Sequence, residues 1–340
     1  MSRALVLMKA LPPTKGHERL IDFAKTFASG GVVLMDCAPG EPLIEARTQW
    51  LFDQTYNGNG WADEVMIVDD SYPDSPGFWE RWTQRWNSLG MFDYVIGSEA
   101  YCAKVAECIN ARFIPYDPSR ELSNARATQI RHSPISLFRH VATGFQPYMQ
   151  TTVTVFGAES TGKTTLSKRL AGCLDGEWVF EWARPYLEGT GQTVVDRKAM
   201  MEIWHGQYAA ELNARLHSED EPFIVRDTDL YSTIGYWEQP HWTADLDAVP
   251  SGLIAEAKMH KADLYIITPS NIPFEKDPLR YGGDHRESPD SYWLDVAKKY
   301  NLNYKVLTSN ILTDRIFEAS GLARQAFFDK NQQLTEAVRV

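Results

Sequence analysis

Gly157-Ala-Glu-Ser-Thr-Gly-Lys-Thr-Thr165 is the stretch on which the reading of this chain turns. Gly157, Gly162, Lys163 and Thr164 fall at the spacing G-x-x-x-x-G-K-[ST] of a phosphate-binding loop. TVTVF ahead of it (Thr152 to Phe156) reads as a short buried strand, and TTLSKRLAGCL from Thr164 reads as the helix that follows. Glycine lets backbone amides curl around phosphate oxygens with no Cβ in the way, and the start of the helix adds partial positive charge. In that arrangement Gly157, Ser160, Thr161, Gly162 and Thr165 cradle the phosphates of ATP. Lys163 reaches the β- and γ-phosphates, and the Thr164 hydroxyl holds Mg2+. A glycine loop arising by chance would not be expected to have the strand before it and the helix after it.

Working outward, the loop opens an α/β series. Further strands are expected at Glu177 to Glu181, Phe223 to Asp227, Asp263 to Thr268 and Tyr304 to Thr308, with long helices at Arg197–Ser218, Ser288–Tyr300 and Ile311–Phe328. Upstream lies a second such series. Its strands are Arg3 to Ala10, Gly31 to Cys37, Glu64 to Asp70, Asp93 to Glu99 and Ala111 to Asp117, with helical patterns starting near His17, Pro42 and Pro76. Short apolar strands alternating with helices predict doubly wound parallel sheets, whose ligands sit at the carboxyl ends of the strands. The fold class is therefore α/β, with two such domains. A chain of 340 residues exceeds one compact core. The strand-poor segment Pro118 to Gln150 places the boundary near 146–151. We expect domains at 1–148 and 149–330 and a frayed helix or tail at 331–340.

The composition, 44% hydrophobic and 23% charged, is that of an ordinary globular protein. A net charge of −11 provides no basic field, so neither a nucleic acid nor a membrane surface is an expected partner. Cys37, Cys102, Cys108 and Cys173 show no metal or redox spacing, and read as free thiols in a reducing cytoplasm. No signal peptide and no run of 18 apolar residues is visible, so a cytoplasmic protein is expected. A homo-oligomer is compatible with all of this.

After the first strand, Thr14-Lys15-Gly16-His17 opens a helix. A T-x-G-H tetrad in that place resembles the signature of the nucleotidylyltransferase superfamily. Gly16 would allow close approach of a triphosphate, and His17 would donate to an α-phosphate in flight. Further on, RATQIRHSP (Arg126 to Pro134) resembles the superfamily's late [ST]-T-x-x-R motif. Thr128 would bond a phosphate oxygen, and Arg131 would clamp the β- and γ-phosphates. The competing reading is an ordinary helix cap and a solvated arginine.

The two series in this order resemble the NadR family, which joins a nicotinamide mononucleotide (NMN) adenylyltransferase to a ribosylnicotinamide kinase. The family's G-K-F-x-P-x-H-T-G-H run is similar to Met8 through His17, including Lys9. Arg47 stands where the family has an arginine ahead of a Trp-Leu pair. GSEAY (Gly97 to Tyr101) and YDPSR also fit, as do FEWARPYL (Phe180 to Leu187), HGQY (His205 to Tyr208) and RDTDLYST (Arg226 to Thr233). The resemblance covers roughly residues 3 to 320. It departs at Met8, Ala10, Thr14 and Arg126, where the family has Gly, an aromatic, His and Ser. It implies an NAD salvage enzyme using ATP and Mg2+, with nicotinamide riboside, NMN and NAD as its other ligands. The departures leave open a kinase-only enzyme with a degenerate first domain, and a sensor of ATP or NAD.

Phosphoryl transfer needs acids as well as the loop. Glu181, ending a strand, is expected as base or ribose ligand. Asp227 is expected as the Mg2+-holding carboxylate, and Asp229 as a second acid on the ribose. Arg280 and Arg286, in a Gly- and Pro-rich segment, and Arg184 are candidate phosphate or substrate ligands. Trp79 and Trp82, on one helical stripe with Trp86, and Trp182 and Trp204 are candidate platforms for a cationic ring. Core packing is the competing reading for each.

Overall fold

TTVTVF is buried at every position, as a central parallel strand covered on both faces must be. The computed structural model places it at the middle of a five-stranded sheet. The structure describes residues 2–56, 61–68, 75–123, 125–192, 195–239, 248–274 and 288–337. They form two compact units, Met1–Tyr148 with Asn331–Val340, and Met149–Lys330.

The sheet of the first unit contains β1 (Arg3–Met8), β2 (Gly30–Cys37), β3 (Ala62–Val68), β4 (Tyr94–Gly97) and β5 (Arg112–Pro115). They are all parallel, in the order β3-β2-β1-β4-β5. The direction of winding reverses between β1 and β4. A ligand crevice is expected at that point, outside the strand ends. One side of the sheet packs against helix Phe78–Ser88, whose Phe78, Trp82 and Trp86 join Leu5, Leu7, Val32, Leu34 and Val95 in one core. The segment at 331–340, expected as a frayed helix or tail, carries a helix, Gln332–Glu336, whose Leu334 is buried. It groups with the first unit.

The second sheet contains β6 (Thr151–Phe156), β7 (Glu177–Val179), β8 (Phe223–Asp227), β9 (Leu264–Ile267) and β10 (Tyr304–Val306). It too is all parallel, ordered β10-β9-β6-β8-β7. Val155 of β6 is in register with Asp227 of β8, so the last residue of β8 sits beside the loop that leaves β6. Two helices that the sequence reading did not single out, Leu230–Glu238 and Ser251–Met259, pack beside helix Arg197–His217 in the core of this unit. No described helix is long and apolar enough to cross a membrane.

Candidate functional sites

The loop after β6 takes a backbone path that its sequence explains. Gly157 has φ +135°, and a Cβ there would lie 2.9 Å from the Thr268 carbonyl oxygen. Gly162 has φ +82° and caps helix Lys163–Leu174. Both dihedrals suit glycine and few other residues. Thr161 Oγ1 donates to the Ala158 carbonyl at 2.8 Å and lies 2.7 Å from Thr268 Oγ1. Lys163 Nζ reaches back to the same Ala158 carbonyl at 2.7 Å. Arg315, which the sequence reading missed, holds the loop from behind. Its guanidinium donates to the carbonyls of Thr161 (2.8 Å), Pro269 (3.1 Å) and Ser309 (2.8 Å).

The loop borders a cleft with about 870 Å3 of empty space, on which Lys163, Glu181 and Arg184 converge. Asp227, one strand over, is 1% exposed, and neither carboxylate oxygen has a hydrogen-bond partner. Burial, then the Glu181 carboxylate, pushes its pKa up to about 7, with Thr164 and Lys163 pulling the other way. A buried carboxylate with two unsatisfied oxygens, near a threonine hydroxyl, suits a hard divalent cation such as Mg2+. Thr164 and Asp227 are the residues that would hold it. Leu187, Val195, Met200, Ile203 and Tyr236 give the cleft an apolar stretch of wall, beside the polar Gln207, Ser232 and Thr233. The apolar positions carry no local motif, which is why sequence reasoning missed them.

Three expectations in this unit are corrected. Asp229 does not line the cleft. Its carboxylate caps helix Leu230–Glu238, accepting from Tyr231 N at 3.0 Å and Ser232 N at 3.2 Å, and from the Tyr265 hydroxyl at 2.7 Å. The Trp182 indole is seated on Gly206 instead of facing the cleft: a Cβ on Gly206 would lie 1.7 Å from its Nε1. Trp204 is buried in the core with Nε1 on Glu256 Oε2 at 2.6 Å. Arg280 and Arg286 lie outside the described residues.

The first unit's cleft opens where the winding reverses, past the ends of β1 and β4, with about 1110 Å3 of empty space. Thr14 caps helix Lys15–Phe27: its Oγ1 accepts the His17 N–H at 3.3 Å, while Thr14 N–H donates to His17 Nδ1 at 3.0 Å. That second bond makes Nδ1 an acceptor and so leaves the ring proton on Nε2. Burial, then Arg120 and Arg47, lowers the His17 pKa to about 4, so the ring is neutral at physiological pH. Arg131 donates to the Leu11 carbonyl, and its buried Nε has no partner. Lys9, Gly16, Thr128 and Arg131 line this cleft with His17, as the sequence reading expected, and Arg120 and Arg126 join them. Arg120 pairs with Glu99, the one acid among the described lining residues. Arg120 lies in the YDPSR stretch already noted, but nothing in that stretch says which residue turns inward.

Two further expectations are corrected here. Arg47 is fully buried beneath the loop. Its guanidinium donates to the Ala10 carbonyl at 3.0 Å, the Lys9 carbonyl and Glu41 Oε2 at 2.8 Å. It shapes the exit from β1 and does not line the cleft. Trp79 and Trp82 face the core, where Trp82 is 2% exposed and its ring lies 5.7 Å from those of Phe78 and Trp86. The helical stripe that they form is a packing stripe.

Two α/β units, each with a phosphate-type turn leading from its first strand into a helix, define a two-domain nucleotide-binding fold. An AAA domain family matches residues 152–315. The trifunctional NAD biosynthesis/regulator protein NadR of Salmonella typhimurium is 23% identical over 78% of this chain and 65% of its own length. The Escherichia coli protein of the same name is 22% identical over 84% of this chain and 70% of its own length. The chain thus spans about two thirds of the length of these curated relatives. Crystal structures of NadR protein, one with NAD and AMP-PNP and one with NR, each superpose with a TM-score of 0.62. They cover 97% of this chain and 96% of theirs at 20% and 18% identity, and so share its fold. The resemblance to the NadR family runs through both units.

Proposed function

We propose that this chain is an NAD salvage enzyme with two activities. In the second unit the 5′-hydroxyl of nicotinamide riboside attacks the γ-phosphorus of ATP, giving NMN and ADP. In the first unit the phosphate of NMN attacks the α-phosphorus of another ATP, giving NAD and pyrophosphate. The observation that carries the reading is the contrast between the two clefts. One sets carboxylates beside a lysine; the other is lined by cations and a neutral histidine with one ion-paired acid. The names of the relatives and the ligands of the solved NadR structures support the substrates.

In the kinase step Lys163 and the loop amides hold the transferring phosphoryl group in line. Glu181 or Asp227 takes the proton as the hydroxyl oxygen bonds to phosphorus. Mg2+, held by Thr164 and Asp227, would neutralise phosphate charge. In the adenylyl step the attacking phosphate is already anionic, so no base is needed. His17 Nε2–H donates to an α-phosphate oxygen, and Arg131 and Thr128 hold the leaving pyrophosphate.

The test is to incubate the pure chain with ATP, Mg2+ and nicotinamide riboside and to separate the products. NAD is the expected product. Accumulation of NMN alone would remove the adenylyl step, and no turnover with ATP still bound would overturn the substrate assignment.

A further inference from the structure

HGQY (His205 to Tyr208) has no part in either reaction as derived above, yet its third residue sits at the second cleft. Gln207 is 2% exposed and lines the cleft. Its Oε1 accepts the Trp182 backbone N–H at 2.9 Å, and its Nε2 donates to Glu211 Oε1 at 3.4 Å. A backbone N–H only donates and a carboxylate only accepts, so these partners fix which end of the carboxamide faces which. Glu211 Oε2 in turn lies 2.9 Å from Arg226 Nη1, and both residues are 1% exposed. Arg226 Nη1 is held further by the His260 carbonyl at 2.7 Å.

The two ends of this chain of contacts matter most. Trp182 follows Glu181, and Arg226 precedes Asp227. Each of the two acids assigned to phosphoryl transfer therefore has its immediate chain neighbour tied into one buried network under the cleft floor. Gly206 strengthens the attachment. With no side chain, it makes room for the Trp182 indole, so one helix turn grips both the backbone and the ring of Trp182.

Resting on the phosphoryl-transfer reading, we propose that Gln207 is the positioning residue that keeps Glu181 in register with Asp227. It does so by tying the turn after β7 to β8 through Glu211 and Arg226. A buried glutamine used only for packing would affect stability alone. A positioning residue affects the rate of the step whose groups it holds, because small misplacements of reacting groups are costly in rate.

The experiment uses the full chain as wild type, Gln207→Leu and Gly206→Ala. It measures kcat and KM for nucleoside phosphorylation, adenylyl transfer starting from NMN, and the melting temperature. Gln207→Leu is expected to lower the phosphorylation kcat roughly 10- to 100-fold. KM for ATP and the rate of adenylyl transfer are expected to stay within about twofold. Gly206→Ala, which displaces the indole without touching the carboxamide, is expected to lower the same kcat and leave the same two quantities in place. A wild-type kcat in Gln207→Leu with a lower melting temperature overturns the proposal and leaves Gln207 as a packing residue. A wild-type chain that phosphorylates no nucleoside overturns the underlying reading and the proposal with it, and is told apart by the wild-type assay alone.

Discussion

The two clefts carry their charges in opposite ways. The second sets Lys163 beside the carboxylates of Glu159 and Glu181, with Asp227 buried one strand over and neither of its oxygens hydrogen-bonded. The first gathers Lys9, Arg120, Arg126, Arg131 and a neutral His17, and its single lining acid is ion-paired. A hydroxyl nucleophile must lose a proton, whereas a phosphate nucleophile arrives without one. Carboxylates are useful in the first case, and in the second they would repel the substrate. On the proposed reading, the presence or absence of unpaired acid separates the cleft that phosphorylates an alcohol from the one that joins two phosphates.

The sharpest way to break this comparison is Lys163→Ala. On the proposed reading, removing the loop lysine takes away the charge that holds the transferring group, and phosphorylation is expected to fall by about 1,000-fold. Adenylyl transfer starting from NMN should be unchanged, since Lys163 lines only the other cleft. Parallel assays of the two half-reactions decide it, and an equal loss in both would mean that the clefts do not divide the chemistry.

Asp227→Asn tests the carboxylate side, with activity and stability moving in opposite directions. Phosphorylation is expected to drop at least ~100-fold, through loss of a proton acceptor or metal ligand. The ligand-free protein should meanwhile melt higher at pH 8. Asp227 has a folded-state pKa of about 7, above its ordinary 3.8, because of burial and then Glu181. A raised carboxyl pKa favours the fold at low pH, and that contribution is lost as pH climbs through the folded-state value. Above that point the native state carries a buried, unpaired charge. The asparagine is therefore expected to gain on the order of a few kcal/mol at pH 8 and little near pH 4. Thermal melts across that range, without nucleotide or metal, check the sign.

His17→Ala probes the other cleft. Loss of one pre-aimed donor is expected to slow adenylyl transfer ~100-fold and spare phosphorylation. The pH profile sharpens the contrast. With the His17 pKa lowered to about 4, the ring stays neutral from pH 5.5 upward, so adenylyl transfer should show no histidine limb between pH 5.5 and 8. The kinase step, whose Mg2+ would have to displace the proton from an Asp227 carboxyl with its pKa raised to about 7, should rise with pH in that window. A shared profile would mean that one group limits both.

All ten strands of the described residues were legible in the sequence, because short apolar runs alternate cleanly with amphipathic helices. So was the placement of the residues that follow from local spacing: Thr14, Gly16 and His17 in one turn, and Gly157 through Thr164 in another. What stayed hidden depends on distant parts of the chain. Arg47 is buried because the Lys9 and Ala10 carbonyls and Glu41 converge where it sits. Trp182 turns from the cleft because Gly206 leaves a seat for its ring. Arg315 supports a loop far upstream in sequence. No spacing rule encodes such meetings. For the tryptophans on Phe78–Ser88, periodicity showed that one face was shared but not what the face met, and it met the core.

The smallest expected effect concerns Thr14, which stands where the NadR family has histidine. Thr14 makes three bonds to His17 that involve a side chain. Its Oγ1 accepts the His17 N–H and lies 3.0 Å from Nδ1, and its own N–H donates to Nδ1. Thr14→Ala removes the two made through Oγ1 and keeps the third, since the backbone donor does not depend on the side chain. The helix loses an N-cap, worth about 1 kcal/mol, so the first unit should melt slightly lower. The Nε2 proton stays where it is, and adenylyl transfer should fall only about threefold, in line with a looser helix start. A loss as large as that of His17→Ala would show instead that the Thr14 hydroxyl itself touches the reacting phosphates. The two clefts would then differ less than their acids suggest, because each would hold its nucleotide through a threonine hydroxyl at the start of a helix.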